Sequence, residues 1–135
     1  MKNYIAYITP LISVYELAKD DIEKKFPETL VVGAHNKEDI SVLLRGAFSV
    51  IILECPEGFT QLTNSAVSFL QEKIRGEQSP NRETPVLVRT VDYRPNIVNG
   101  YRSIPGVEVQ FMQEWSEKFD QPEVMKFLEK YLVKN

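Results

Sequence analysis

The sequence predicts an α/β fold built on a doubly wound, five-stranded parallel sheet, and three observations carry that expectation. The stretch Phe48-Ser49-Val50-Ile51-Ile52-Leu53-Glu54-Cys55-Pro56-Glu57-Gly58 puts four consecutive large aliphatics, three of them β-branched, ahead of a proline and a glycine. Such a run is apolar on both alternating faces, as a central strand covered by helices on both sides must be. Other apolar runs alternate along the chain with stretches of helical periodicity, and no linker, repeat or low-complexity segment separates them. Finally, 135 residues suit a single domain, 1–135, that buries roughly two thirds of its unfolded surface.

Each element can be justified in turn. Tyr4-Ile5-Ala6-Tyr7-Ile8 is an apolar first strand that stops at Thr9-Pro10. Residues 11–26 place Leu11, Val14, Leu17, Ala18, Ile22 and Phe26 at three- and four-residue spacings, a helix closed by Pro27. Thr29-Leu30-Val31-Val32 reads as a short strand and Gly33-Ala34-His35-Asn36 as the turn out of it. Asn36 then caps a second helix, with Glu38 and Asp39 complementing its dipole, Ile40, Val42, Leu43 and Leu44 on its buried side, and Gly46 ending it. The central strand, 50–53, follows at once. A third helix over 59–75 carries Leu62, Ala66, Phe69, Leu70 and Ile74, and leads through a polar loop, 76–83, into a fourth strand, 86–91. Residues 94–103 form a helix candidate broken by Pro95 and Gly100, 107–112 a fifth strand, and 122–133 a terminal helix with Val124, Met125, Phe127, Leu128, Tyr131 and Leu132 inward. Right-handed crossovers leave few ways to wind five strands and five helices, and at this length the flavodoxin-like order 2-1-3-4-5 is the natural one.

Composition narrows the function classes. With Cys55 and His35 as the single cysteine and the single histidine, neither an intramolecular disulfide nor a four-ligand Cys/His metal site can form. No apolar run approaches the roughly 18 residues of a membrane span, and no secretory leader pattern is present, so a cytoplasmic protein is expected. A formal charge of -3 gives no general attraction to phosphate backbones, and direct nucleic-acid binding is not expected.

These landmarks resemble, over essentially the whole chain, the receiver domains of two-component response regulators. Val50-Ile51-Ile52-Leu53-Glu54, trailed by Pro56 and Gly58, puts Glu54 where receivers carry their phospho-accepting aspartate. Thr84-Pro85-Val86-Leu87-Val88-Arg89-Thr90 is similar to the receiver fourth strand and sets Thr90 on its switch hydroxyl. The stretch from Gly106 to Trp115 aligns with the fifth strand and the lysine-proline-aromatic turn after it. The departures bear on function. Receivers hold magnesium with an acidic pair after the first strand, because a hard cation needs carboxylate oxygens to neutralise the transferring phosphoryl group. Here Tyr7-Ile8-Thr9-Pro10 stands in that place. The acceptor becomes Glu54, the switch aromatic Gln110 and the clamping lysine Gln113, while bulky Val91 follows Thr90. Without the metal pair and the lysine, most of the electrostatic stabilisation of phosphoryl transfer is gone. The resemblance therefore implies a degenerate pseudo-receiver that is not an enzyme, with no cofactor and no metal.

Several residues invite sharper readings beside their ordinary ones. Glu54 could mimic a phosphorylated aspartate, although a carboxylate that merely solvates a strand end is commoner. Cys55 near His35 suggests a nucleophile pair, but no orienting third group or glycine-rich oxyanion loop accompanies them, and an inert thiol is the usual outcome. Glu54, Glu57, Asp92 and Glu114 fall at carboxyl ends of strands and could gather a cation, though such acids are mostly solvated loop residues. Arg89 to Arg94 could hold an anion, without the glycine-rich loop that would make the signal strong.

The leading expectation is a phosphorylation-independent regulatory module that docks a protein partner or a second copy through helix four, strand five and helix five. Phe111, Met112, Trp115 and Phe119 concentrate there, and aromatic and methionine enrichment marks interface centres. The same residues could simply pack the last helix onto the sheet. The alternative is a small-ligand or anion sensing domain of a transcriptional regulator, since one lobe of a periplasmic-binding-like sensor would also open on an apolar strand, Thr-Pro and a helix. Such sensors ordinarily use two lobes. A small enzyme dependent on Cys55 ranks behind both.

Overall fold

The computed structural model describes residues 2–54, 66–111 and 121–132. In chain order the elements are β1 (Asn3–Ile8), α1 (Ile12–Lys25), β2 (Thr29–Ala34), α2 (Lys37–Leu43), β3 (Val50–Glu54), α3 (Ala66–Phe69), β4 (Val86–Thr90), α4 (Pro95–Arg102), β5 (Val107–Phe111) and α5 (Gln121–Tyr131). Directly after α3, Leu70–Ile74 forms a π-helical turn. The five strands pair in parallel in the order β2-β1-β3-β4-β5, as the flavodoxin-like winding requires. No helix among the described residues is long and apolar enough to cross a membrane.

Alternation along the strands divides the core into two layers. Ala6, Ile8, Ile51, Leu53, Val86 and Val88 pack with Ile40 of α2 and Leu44 just past it, with Phe69, Leu70 and Ile74, and with Tyr101 of α4. On the other face Ile5, Tyr7, Val31, Val50, Ile52 and Leu87 pack with Val14, Ala18 and Ile22 of α1 and Val124 and Leu128 of α5. All five residues of β3 are buried, the condition its apolar run demanded.

The elements depart from expectation at identifiable places. The second strand runs on through Gly33 and Ala34, where a turn was expected. Glycine is required there because the Tyr15 ring of α1 lies within 2.6 Å of where a Cβ would stand. Leu17 and Val42, expected to be buried, are exposed, since each sits one residue off the stripe its helix turns inward. Helix α4 forms despite Pro95 and Gly100. Proline occupies its first turn, where a missing N–H costs nothing, and Gly100 admits the close approach of Val67 from α3, whose Cγ2 is 2.9 Å from the site of a Cβ. Asn36 caps α2 as expected, its Oδ1 accepting from the Asp39 N–H at 2.9 Å. Of the expected helix 59–75, residues 59–65, Leu62 among them, lie outside the described residues.

The two sheet edges are treated differently. On β2 the outward N–H of Val31 donates to Glu23 at 2.9 Å, and its C=O accepts from Lys19 at 2.9 Å, while Lys19 and Glu23 pair with one another. Helix α1 thus consumes hydrogen-bonding capacity that an edge strand otherwise offers to another chain. At β5, Glu108 binds Lys130 and Tyr131 of α5, tying the last helix down.

Candidate functional site

The site is best built from register. Ile8 is paired with Leu53, Glu54 with Arg89, and Arg89 with Gln110, so Thr9, Glu54, Arg89 and Gln110 form one polar row at the carboxyl edge of the sheet. Glu54, Arg89 and Gln110 share the parity of Ile52, Leu87 and Glu108, which directs the row toward the α1 and α5 layer.

Glu54 is 1 % exposed, so it does not solvate a strand end, and that expectation is corrected. A carboxylate that deep must be neutralised and hydrogen-bonded. Its Oε2 receives the Arg89 Nη1–H and, at 2.7 Å, the Tyr7 hydroxyl. Its Oε1 receives the Thr9 hydroxyl at 3.0 Å. Arg89, also 1 % exposed, donates from Nε to Gln110 Oε1 at 2.9 Å and from Nη1 to the Tyr7 oxygen at 3.3 Å. Burial, followed by the neighbouring Glu54 charge, raises the Tyr7 phenol well above its ordinary value, so the ring keeps its proton and donates.

The residues singled out from sequence separate into groups. Glu54 and Gln110 are brought together, with Arg89 between them. Thr90 is fully buried and accepts the Asp92 N–H at 2.9 Å, a local turn contact, while its parity with Val86 and Val88 assigns it to the opposite layer. Asp92 binds Arg94 through both carboxylate oxygens, and that hydrogen bonding holds its carboxyl below the ordinary value. His35 places Nδ1 3.0 Å from the Thr9 carbonyl oxygen and its ring edge-on to Tyr15. Cys55, Glu57, Met112, Gln113, Glu114, Trp115 and Phe119 lie outside the described residues. Phe111 is 39 % exposed, so it is not a core residue that fastens the last helix.

Sequence reasoning did not assign Tyr7, Thr9 or above all Arg89 as partners of Glu54. An arginine inside Val86-Leu87-Val88-Arg89-Thr90 has to find an anion once that strand is buried, and Glu54 ends the neighbouring strand at the same level. The run from Arg89 to Arg94 is not an open anion site either, because Arg89 is committed to Glu54 and Arg94 to Asp92. Nor does the row suit a divalent cation. It holds one carboxylate, and a guanidinium already compensates it where a second carboxylate would be needed.

No protein-family model and no curated protein matches this sequence. Solved structures do. The chemotaxis response regulator CheY4 of Vibrio cholerae superposes with a TM-score of 0.71 at 15 % identity, covering 98 % of this chain and 100 % of that one. The signal receiver domain of a DNA-binding response regulator from Colwellia psychrerythraea gives 0.71 at 16 % identity over 96 % of this chain and 97 % of that one. The response regulator TrrA from Thermotoga maritima, in complex with magnesium and beryllium fluoride, gives 0.65 at 16 % identity over 98 % and 100 %. At such identities the likeness establishes a receiver-like fold.

Removing one member of the buried pair should cost more than removing both. Arg89→Met leaves Glu54 uncompensated and is expected to lose about 3–5 kcal/mol in urea unfolding, whereas Glu54→Leu combined with Arg89→Met should be more stable than either single variant. A loss below about 1 kcal/mol for Arg89→Met would contradict the buried pair. The network also has an alkaline signature. Folding raises the Tyr7 phenol above its ordinary 10.0, so its stabilisation is complete below about pH 10 and is lost as pH climbs from there toward the folded value. Tyr7→Phe should therefore lose less stability than the parent between about pH 9 and 11, and parallel losses in the two proteins would refute the assignment.

Proposed function

We propose that this chain is a receiver-like signalling module that works without phosphorylation and acts by docking a protein, in the first instance a second copy of itself. The observation that carries the reading is the engagement of Glu54. Both its oxygens accept hydrogen bonds, one of them from Arg89, and the group is buried. A nucleophile for phosphoryl transfer needs an accessible oxygen in line with the phosphorus and a cation to gather the phosphoryl charge. Arg89 supplies a permanent internal charge instead, which supports a module whose carboxyl edge is held in one arrangement.

The docking side is argued from exposure. On β5, an edge strand, Phe111 stacks against Tyr93 with ring centroids 5.0 Å apart, and Tyr93 is 50 % exposed. The Arg102 guanidinium of α4 lies 5.8 Å from the Phe111 ring. Solvent-facing aromatics with an arginine beside them are the residue types that dominate interface energetics. The opposite edge, with Val31 capped by α1, offers less. These exposures support an interface on α4, β5 and α5.

Two experiments test the reading. Incubation with magnesium and beryllium fluoride or acetyl phosphate should give no adduct by mass and no change in amide spectra; a stoichiometric complex at Glu54 would overturn phosphorylation independence. Sedimentation should show self-association that Phe111→Asp weakens at least about ten-fold, with the urea midpoint nearly unchanged. A chain that stays monomeric at millimolar concentration, or an association indifferent to Phe111→Asp, would remove this interface.

A further inference from the structure

The two outer strands of the sheet leave different backbone groups open. Val86 stands level with Val107, and its N–H donates to the Gly106 C=O at 3.0 Å. In a parallel ladder this directs the N–H and C=O of Glu108 and Gln110 toward β4, and those of Val107, Val109 and Phe111 outward. The Val107 N–H turns back to the Ile104 C=O at 3.3 Å. The C=O of Val107 and both backbone groups of Val109 and Phe111 meet no partner among the described residues. On β2 the outward groups of Val31 are instead taken by Glu23 and Lys19.

The devices that ordinarily keep an edge strand from pairing are missing along β5. Val107–Phe111 carries no proline, and its unbroken register with β4 leaves no bulge. Its one charge, Glu108, is held on the α5 side by Lys130 and Tyr131.

We infer that the β5 edges of two copies pair antiparallel about a two-fold axis through Val109, joining the two sheets into one. The inference rests on the self-docking proposed above and specifies how the copies meet. A surface that meets its own copy across a two-fold must be self-complementary. About this axis Val109 exchanges both of its hydrogen bonds with Val109 of the second copy, and the Phe111 N–H reaches the Val107 C=O of the second copy. The side chains agree with this register. Val107 comes opposite Phe111 on the α4 side, where Val107 and Val109 already pack, and so covers a ring that is 39 % exposed. On the α5 side Glu108 comes opposite Gln110. An axis through Glu108 would instead oppose two carboxylates and set Phe111 beyond the end of the other strand, so the composition of β5 selects Val109.

The test follows the intact chain by sedimentation and amide hydrogen exchange, dilute and at millimolar concentration. Exchange at Val109 and Phe111 is expected to slow at least about ten-fold as the dimer fills, while Val31, bonded within its own chain, is unchanged. In a mixture of differently labelled chains, the Glu108 Hα should show an intermolecular nuclear Overhauser effect to the Gln110 Hα, the close approach of a non-hydrogen-bonded antiparallel pair. Val109→Pro removes an outward N–H and no bond to β4, and should weaken association at least about ten-fold. The two measurements on the parent chain hold whether or not that variant folds. A dimer that Phe111→Asp disrupts, but whose Val109 exchange ignores concentration and whose Glu108 shows no such effect, overturns strand pairing and leaves the α4, β5 and α5 interface standing. A chain that stays monomeric overturns both. If that monomer gains Val109 protection from an extended Thr-Val-Thr-Val-Thr peptide, the edge takes a strand of another protein and a second copy is ruled out as its occupant.

Discussion

A carboxylate at 1 % exposure in the middle of a parallel sheet is tolerable only if something neutralises it, and the rest of this structure is arranged around the fact that Arg89 does. Moving two charges out of water costs several kcal/mol apiece, which their attraction returns only with good geometry and satisfied remaining atoms. Here Tyr7 and Thr9 donate to the Glu54 carboxylate, and Gln110 accepts from the Arg89 Nε–H. The pair is consequently a weak source of net stability and a strong source of register. A slip of one residue between β3 and β4 would turn one of the two charges into the apolar layer of α2, α3 and α4. The polar row therefore states which strands are neighbours and at what level, where the aliphatic runs alone are interchangeable.

The same row occupies the edge at which open α/β sheets ordinarily receive ligands. Residues that could have held a cation or an anion there are turned toward each other. Solvent-facing aromatics stand beside the row at the same edge, Phe111 at the end of β5 stacked on Tyr93 just past β4. Helices α3 and α4 meet where Val67 closes on Gly100.

Much of the fold was legible in the chain, and the reasons are specific. The both-sided apolarity of Val50 to Leu53 identified the central strand, and regular alternation with amphipathic stretches fixed the winding. Errors fell where tertiary contact overrides local pattern. Gly33 reads as a turn until Tyr15 is seen to need its missing side chain, and Pro95 and Gly100 read as breakers until one sits at a helix start and the other under Val67. The site was half legible. Glu54 was singled out by its place at the end of β3, but its partner lay 35 residues on, and periodicity carries no information about which charge faces which across a sheet. Arg89 inside an apolar strand was the available signal. The π-helical turn left none, because a bulge of one residue barely disturbs a hydrophobic pattern.

The energetics of the pair also bear on how this edge could change by substitution. Freeing Glu54 requires removal of Arg89, and a cation site requires acidic groups near Thr9, where a carboxylate would face Glu54 itself. Each single step leaves a buried charge uncompensated, at about 3–5 kcal/mol, in a class of domain whose whole stability is about 5–15 kcal/mol. Two such steps taken separately would consume most of that margin, whereas concerted replacement of the pair is close to neutral. The closed carboxyl edge is thus held less by the strength of any one bond than by the instability of every state one substitution away from it. A receiver-like fold can in this way keep a buried ion pair at that edge.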